Sequence, residues 1–251
     1  MEKHVKTRGI ILRRVNLNEA DQIITALSPD HGKISLMAKG SRRLKSRFCG
    51  RLEPFYLVNL SYFQGRELGH LDEAELIEGW MPEGRNLKTQ GALFYMAELT
   101  GKLIPDGEAS QEVFDLLLGA LKEMREEWQE ERAELILFAY IIKTLTALGF
   151  MAPWNLCSQS GRKLDLSEPH FLHQQDASIV RAEYATESGR RLSPPVIKWV
   201  SYMQKEPYRA ACQVSPSQSE KAEVWQVLQS VFGNILSYPM RSGEFLLQVS
   251  H

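Results

Sequence analysis

The chain has only three cysteines in 251 residues, Cys49, Cys157 and Cys212, an odd number spread far apart. They form neither a disulfide framework nor a Cys-x-x-Cys pair, so a reducing compartment is the natural setting. Long apolar runs are missing too, and Lys3, Lys6, Arg8, Arg13 and Arg14 crowd the N-terminus. Neither a membrane span nor the apolar core of a signal peptide can be drawn, and a cytoplasmic protein with no membrane partner is expected. Walker loop, Rossmann glycine fingerprint, Gly-x-Ser-x-Gly elbow and His-Glu-x-x-His are all absent, and the six histidines are dispersed. Catalysis has no evident home, and no catalytic residue is assigned. What is present, 43% apolar and 24% charged residues, excludes disorder and collagen and fits a globular chain of one or two domains.

The formal net charge of −1 conceals an uneven distribution. Residues 1–66 hold thirteen Lys and Arg against five Asp and Glu, a balance of +8, and the remainder carries −9. A basic head precedes an acidic body. The densest run, Lys33 to Arg51, has seven positive charges and no carboxylate: Lys33, Lys39, Arg42, Arg43, Lys45, Arg47 and Arg51. A solvated surface loop would explain such a run. Phosphate binding explains it better, because Gly40, Ser41, Ser46 and Gly50 supply flexible backbone and hydroxyl donors between the charges.

Five segments read as strands: Val5 to Arg14, Ala20 to Ser28, Lys33 to Lys39, Leu52 to Phe63 and Glu67 to Ile77. Five short strands in about eighty residues suggest a small barrel, of the oligonucleotide-binding (OB) kind or of another, SH3-like kind. After Trp80 the period turns helical. Leu87 to Leu103 is predicted as a helix with a stripe including Leu87, Phe94, Tyr95 and Leu99. Gln111 to about Gln129 follows behind a Ser110 cap, and Glu131 to Leu148 is apolar on nearly every side, as a central helix would be. About 151–192 lacks any period, and two further helices, Pro194 to Gln204 and Ser217 to Leu236, close the chain. The expected class is α+β multidomain: a barrel over 1–80, then an all-α helical domain over 81–251 with a loop-rich insertion.

Cys157, His170 and His173, with Asp165 and Asp176, are the one metal-like grouping, but their spacing matches no closed structural zinc pattern and no metal ligand is assigned. Phe48, Phe55, Tyr56, Tyr62 and Phe63 lie in or near the basic run, where aromatics can stack on bases. Strand residues must half face a core, so Phe48, set among charges, is the aromatic expected to touch nucleic acid. Arg132 and Lys143 lie on the long apolar helix, where cations beside an apolar groove would suit an acidic, hydrophobic tail of a protein partner.

The segment at 9–55 resembles the bacterial recombination mediators of the RecO family, through Glu19-x-Asp21, Gly32-Lys33, Ala38-Lys39-Gly40 and Leu52-x-Pro54-Phe55. The likeness continues through YMAEL at 95–99, VFDLLLGAL at 113–121 and FAYIIKTLTALGF at 138–150. It implies an N-terminal OB domain and a helical C-terminal domain. It further implies binding of single- and double-stranded DNA and annealing of complementary strands coated by single-strand-binding protein (SSB), whose C-terminal tail would be a partner. With RecR, such proteins help load the RecA recombinase. Many family members carry four zinc-ligand cysteines in the irregular segment; here Ser160 stands where the partner of Cys157 would be, so the zinc site looks lost and no cofactor is expected. Two rivals share features of the chain: an RNA chaperone built on the same basic barrel, and a metal-dependent nuclease using Asp165, His170, His173 and Asp176.

Overall fold

β-branched and aromatic residues in alternation build five strands: β1 (His4–Asn16), β2 (Gln22–Ser28), β3 (Gly32–Ala38), β4 (Tyr56–Phe63) and β5 (Gly69–Gly79). In the computed structural model, which describes residues 3–80, 87–126, 130–173, 176–186, 189–240 and 242, they close into a barrel in the order β1-β2-β3-β5-β4. Four pairings are antiparallel; closure comes from a short parallel one, Leu36 to Gly69 and Met37 to His70. That is the five-stranded Greek-key arrangement of the OB fold, the choice that periodicity alone left open. Inside it pack Ile11, Ile24, Leu36, Val58, Leu60 and Leu71, each from the inward side of its strand's alternation.

The fourth strand starts later than its sequence suggests. Leu52 and Phe55 precede it in a run of turns, and Phe55 holds φ of 65°, a left-handed conformation that interrupts extended backbone. Both are buried, and the Phe55 amide donates to the Ile11 carbonyl at 2.8 Å.

Contacts divide the chain into two compact units, Met1–Glu130 with Met240–His251, and Glu131–Pro239. The first joins the barrel to α1 (Leu87–Leu103) and α2 (Gln111–Glu126). α1 is buried on more sides than its stripe implies: Ala92, Leu93, Tyr95, Met96 and Leu99 are all inside, while Leu87 and Phe94 of the expected stripe are exposed. The turn between β2 and β3 seats against the segment that follows α1. A Cβ on Gly32, which has φ of 61°, would lie 1.9 Å from the Glu108 carbonyl oxygen, so only glycine fits. The Ser242 hydroxyl and amide both donate to the Glu98 carboxylate on α1.

The second unit is built on α3 (Glu130–Ala147), whose residues Leu135 to Ile142 are buried without interruption. Around it lie α4 (Pro194–Lys205), the short α5 (Tyr208–Ala211) and α6 (Gln218–Ile235). Phe138 meets Trp199 of α4 edge-on at 5.4 Å and Trp225 of α6 at 6.1 Å. Ser217 and Glu220 form a reciprocal capping box at the start of α6. The irregular segment contains a small antiparallel sheet, β6 (His170–Leu172), β7 (Ile179–Arg181) and β8 (Arg190–Leu192), in the order β7-β6-β8.

Candidate nucleic-acid interface

The basic run leaves β3 at Lys39 and reaches β4 through successive turns. Arg43 donates its amide to Gly40, Ser46 to Arg43, Cys49 to Ser46 and Arg51 to Phe48, at 2.9 to 3.2 Å. Its first residues are tied to the β1–β2 connection. Asp21 Oδ1 accepts the Gly40 amide at 2.7 Å, and Gly40 has φ of 67°. The Arg42 amide donates to the Ala20 carbonyl at 3.0 Å, the Arg42 guanidinium to the Asn18 carbonyl at 2.7 Å, and the Ser41 hydroxyl to Gln22 at 3.1 Å. Asn18 Oδ1 in turn accepts the amides of Ala20 and Asp21, an Asx turn that shapes the connection. The Gly40 amide, helped by the Asn18 side chain and by nearby Arg43 and Lys39, holds the Asp21 carboxyl below its ordinary range.

Seven cations expected to meet phosphate therefore fall into different groups. Lys39, Arg43 and Lys45 are exposed, and their side chains make no hydrogen bond or ion pair with the described residues. Arg42 is exposed but braces the loop through Asn18. Arg47 pairs with Asp72 of β5 at 3.2 Å, and Arg51 donates to the Ala74 carbonyl at 3.1 Å. Both line an open groove of about 1110 Å³ over β1, β4 and β5, whose lining also includes Lys6, Arg8, Glu73 and Glu75.

Lys33 is a correction. Its ammonium donates to the Gly101 carbonyl at 2.8 Å and lies 3.3 Å from Asp106. It satisfies one of the orphan carbonyls at the end of α1, where a cation also suits the helix dipole. The side chain is thus spent on holding barrel and helix together, and the Gly32-Lys33 pair has a structural role.

Phe48 is the second correction. Only 3% exposed, it lies in the barrel core with Leu52 and cannot stack on a base from there. The physical reason is that the barrel end needs an apolar plug, and burying a phenylalanine is worth about 2–3 kcal/mol. Charged neighbours in sequence say nothing against that, because successive turns send neighbouring side chains in opposite directions. The Arg47 guanidinium covers the ring at 5.1 Å.

The outer face of β1–β3 beside the loop escaped the sequence reading. Val15, Ile23 and Met37 pair across the three strands, and each is half-buried or exposed, so their side chains form a row on the outside of the barrel. Arg13, Thr25 and Ser35 form the next row. The strand 2–3 face with the β1–β2 loop is where OB folds hold oligonucleotides. The available signal was the apolar residues left on the solvent side of the alternation.

In the second unit, Arg132 and Lys143 lie eleven residues apart on α3, hence about 20° apart around the helix and about 16 Å along it. Both are half-buried. Lys143 reaches the Gln204 carbonyl at 3.5 Å and sits over the Tyr208 ring at 5.7 Å; burial lowers its pKa, against the opposing charge of Glu206.

Among the described residues no three His, Cys, Asp or Glu side chains gather as ligands. Cys157 is buried; burial pushes its thiol up, but hydrogen bonds with Ser160 and neighbouring backbone outweigh that and bring it below its ordinary value. Asp165 is occupied by the Ser167 hydroxyl and amide, His173 pairs with Asp176 at 2.9 Å, and His170 is buried in β6. These residues do not fit a four-thiolate zinc site, nor do the four put forward for a nuclease converge. The irregular segment is held instead by bonds such as Trp154 Nε1 to the Ala177 carbonyl and Ser178 to Ser158, both at 2.9 Å. No helix among the described residues is long and apolar enough to cross a membrane.

Comparison with known proteins agrees with this layout. Residues 1–80 match the family described as Recombination protein O N terminal, and residues 84–243 match Recombination protein O C terminal. The chain is 24% identical over 249 residues to the DNA repair protein RecO of Caldanaerobacter subterraneus subsp. tengcongensis, covering 99% of each chain. It is 29% identical over 240 residues to that of Bifidobacterium adolescentis, covering 95% of this chain and 97% of the relative. With that of Bifidobacterium longum it shares 31% over 194 residues, 76% of this chain and 79% of the relative.

Proposed function

The chain belongs to the RecO family, and from that premise we propose that it acts as a recombination mediator in DNA repair. In this reading it binds single- and double-stranded DNA through the basic loop and anneals complementary strands coated by SSB. With RecR it promotes loading of RecA, and it works beside the nucleoid. The observation that carries the reading is a set of uncommitted cations, Lys39, Arg43 and Lys45, on a loop whose backbone is fixed to the barrel through Asp21.

Annealing brings two polyanions together, and their repulsion is the main obstacle. Cations that neutralise phosphate lower that repulsion with no preference for sequence, which is what an annealing factor needs. Fixing the loop reduces the ordering cost on binding. No chemical step is assigned to the protein, and no cofactor. For the acidic, hydrophobic SSB tail, Arg132 and Lys143 on one side of α3 are the proposed contacts, two cations on the same helix.

The test is annealing of two complementary labelled strands precoated with SSB, with and without the protein, over a salt series. Acceleration that requires the SSB tail and fades with salt is the expected result. DNA binding without acceleration would leave a generic OB-fold module, such as an RNA chaperone, and remove the mediator role.

A further inference from the structure

Leu44 is 99% exposed, as open to water as it would be in a free peptide. The other large apolar side chains of the same loop, Phe48, Leu52 and Phe55, are all buried. A single exposed leucine ordinarily calls for no explanation. This one differs in its setting. The Ser46 amide donates to the Arg43 carbonyl at 2.9 Å, which makes Arg43 to Ser46 a turn and puts Leu44 and Lys45 at its two corners. Corner positions favour polar and small residues, so turn chemistry gives no reason for leucine. Exposed Arg42, Arg43, Lys45 and Arg47 flank it.

We propose that Leu44 is the base-contacting residue of the loop, packing on the unstacked face of a base in a bound single strand while its neighbours hold the phosphates. The inference rests on the reading of this loop as a DNA contact. Cations alone fix the backbone of a strand and leave its bases free to stack on one another. An apolar wedge next to the phosphate contacts parts neighbouring bases of a single strand and so opens the intrastrand structure that competes with pairing to a complement. In duplex DNA the base faces are already covered and parting a step costs a few kcal/mol, so Leu44 contributes chiefly to single-strand binding. The turn holds the leucine at a corner of the loop, whose first turn is tied through Gly40 and Asp21 to the β1–β2 connection.

The test compares the unaltered protein, Leu44→Ala and the triple variant Lys39→Ala, Arg43→Ala, Lys45→Ala. Each is titrated against a single-stranded oligonucleotide carrying 2-aminopurine and against a duplex. Leu44→Ala is expected to bind the single strand roughly three- to tenfold more weakly, with unchanged duplex affinity and unchanged salt dependence. It should also lose the rise in 2-aminopurine fluorescence that reports unstacking. Leu44→Met should restore both. Normal affinity and a normal fluorescence rise in Leu44→Ala, with weakened binding by the triple variant, would overturn the wedge and leave the loop reading standing. Equal losses on single strand and duplex would also overturn it, as would a defect seen only on SSB-coated strands, which would assign Leu44 to a protein contact. Unchanged DNA binding by the triple variant would remove the loop reading itself.

Discussion

The Asp21 carboxylate and the Gly40 amide meet at 2.7 Å, joining the β1–β2 connection to the first turn of the basic loop. The carboxylate sits among Lys39, Arg43 and the Asn18 side chain, each of which favours its charged form. One acidic residue thereby steadies the base of a loop whose cations would otherwise drive it away from the barrel. Glu19-x-Asp21 and Ala38-Lys39-Gly40, two separate pieces of sequence, are the two halves of one contact.

Replacing Asp21 with alanine is expected to raise hydrogen exchange at the Gly40 amide several-fold and to weaken single-strand binding while the barrel stays folded. The pH dependence follows from the direction of the shift. The folded carboxyl lies below the unfolded value of about 3.9, so its contribution is fully present above pH of about 4 and is lost as pH falls through the lower folded value. Exchange at Gly40 should therefore show full protection at pH 5, and opening of the loop at that pH would contradict the assignment.

The cations of the loop separate by their salt dependence. Each phosphate contact removed from a single strand lowers the slope of log K against log salt by about 0.7. The triple alanine variant at Lys39, Arg43 and Lys45 should lose about 2 from that slope, read from binding isotherms at several salt concentrations. Lys33→Ala should leave the slope alone and instead lower the melting temperature, through loss of a hydrogen bond to Gly101 worth about 1–2 kcal/mol.

Phe48→Ala tests the plug. Truncating a buried phenylalanine costs about 3–5 kcal/mol, so urea denaturation should show that loss in the first unit. A stable variant with impaired DNA binding would return Phe48 to the interface.

Metal should be dispensable. With Ser160 beside Cys157 and no gathered ligand set among the described residues, a chelator is expected to leave the thermal melt unchanged, and elemental analysis of the purified protein should find zinc well below one equivalent. A chelator-dependent drop in melting temperature would contradict this.

Periodicity and composition were enough for the order of the five barrel strands and the five longer helices: the α1 boundaries coincide with those read from sequence, the others shift by a few residues, and β6, β7, β8 and α5, each three or four residues long, are too short to show a period. The barrel was legible because alternation needs no knowledge of the partner strand, and α3 because a helix apolar all round has nowhere to go but inside. The basic loop was legible as charge. Its division was not, since Lys33, Phe48 and Leu44 have neighbours of the same kind in sequence and quite different ones in space. Only the tertiary structure decided that Lys33 caps a helix, Phe48 fills the barrel end and Leu44 stands in water. Each depends on which carbonyl, cavity or solvent lies within a few ångströms after folding, and those distances come from contacts between residues far apart along the chain.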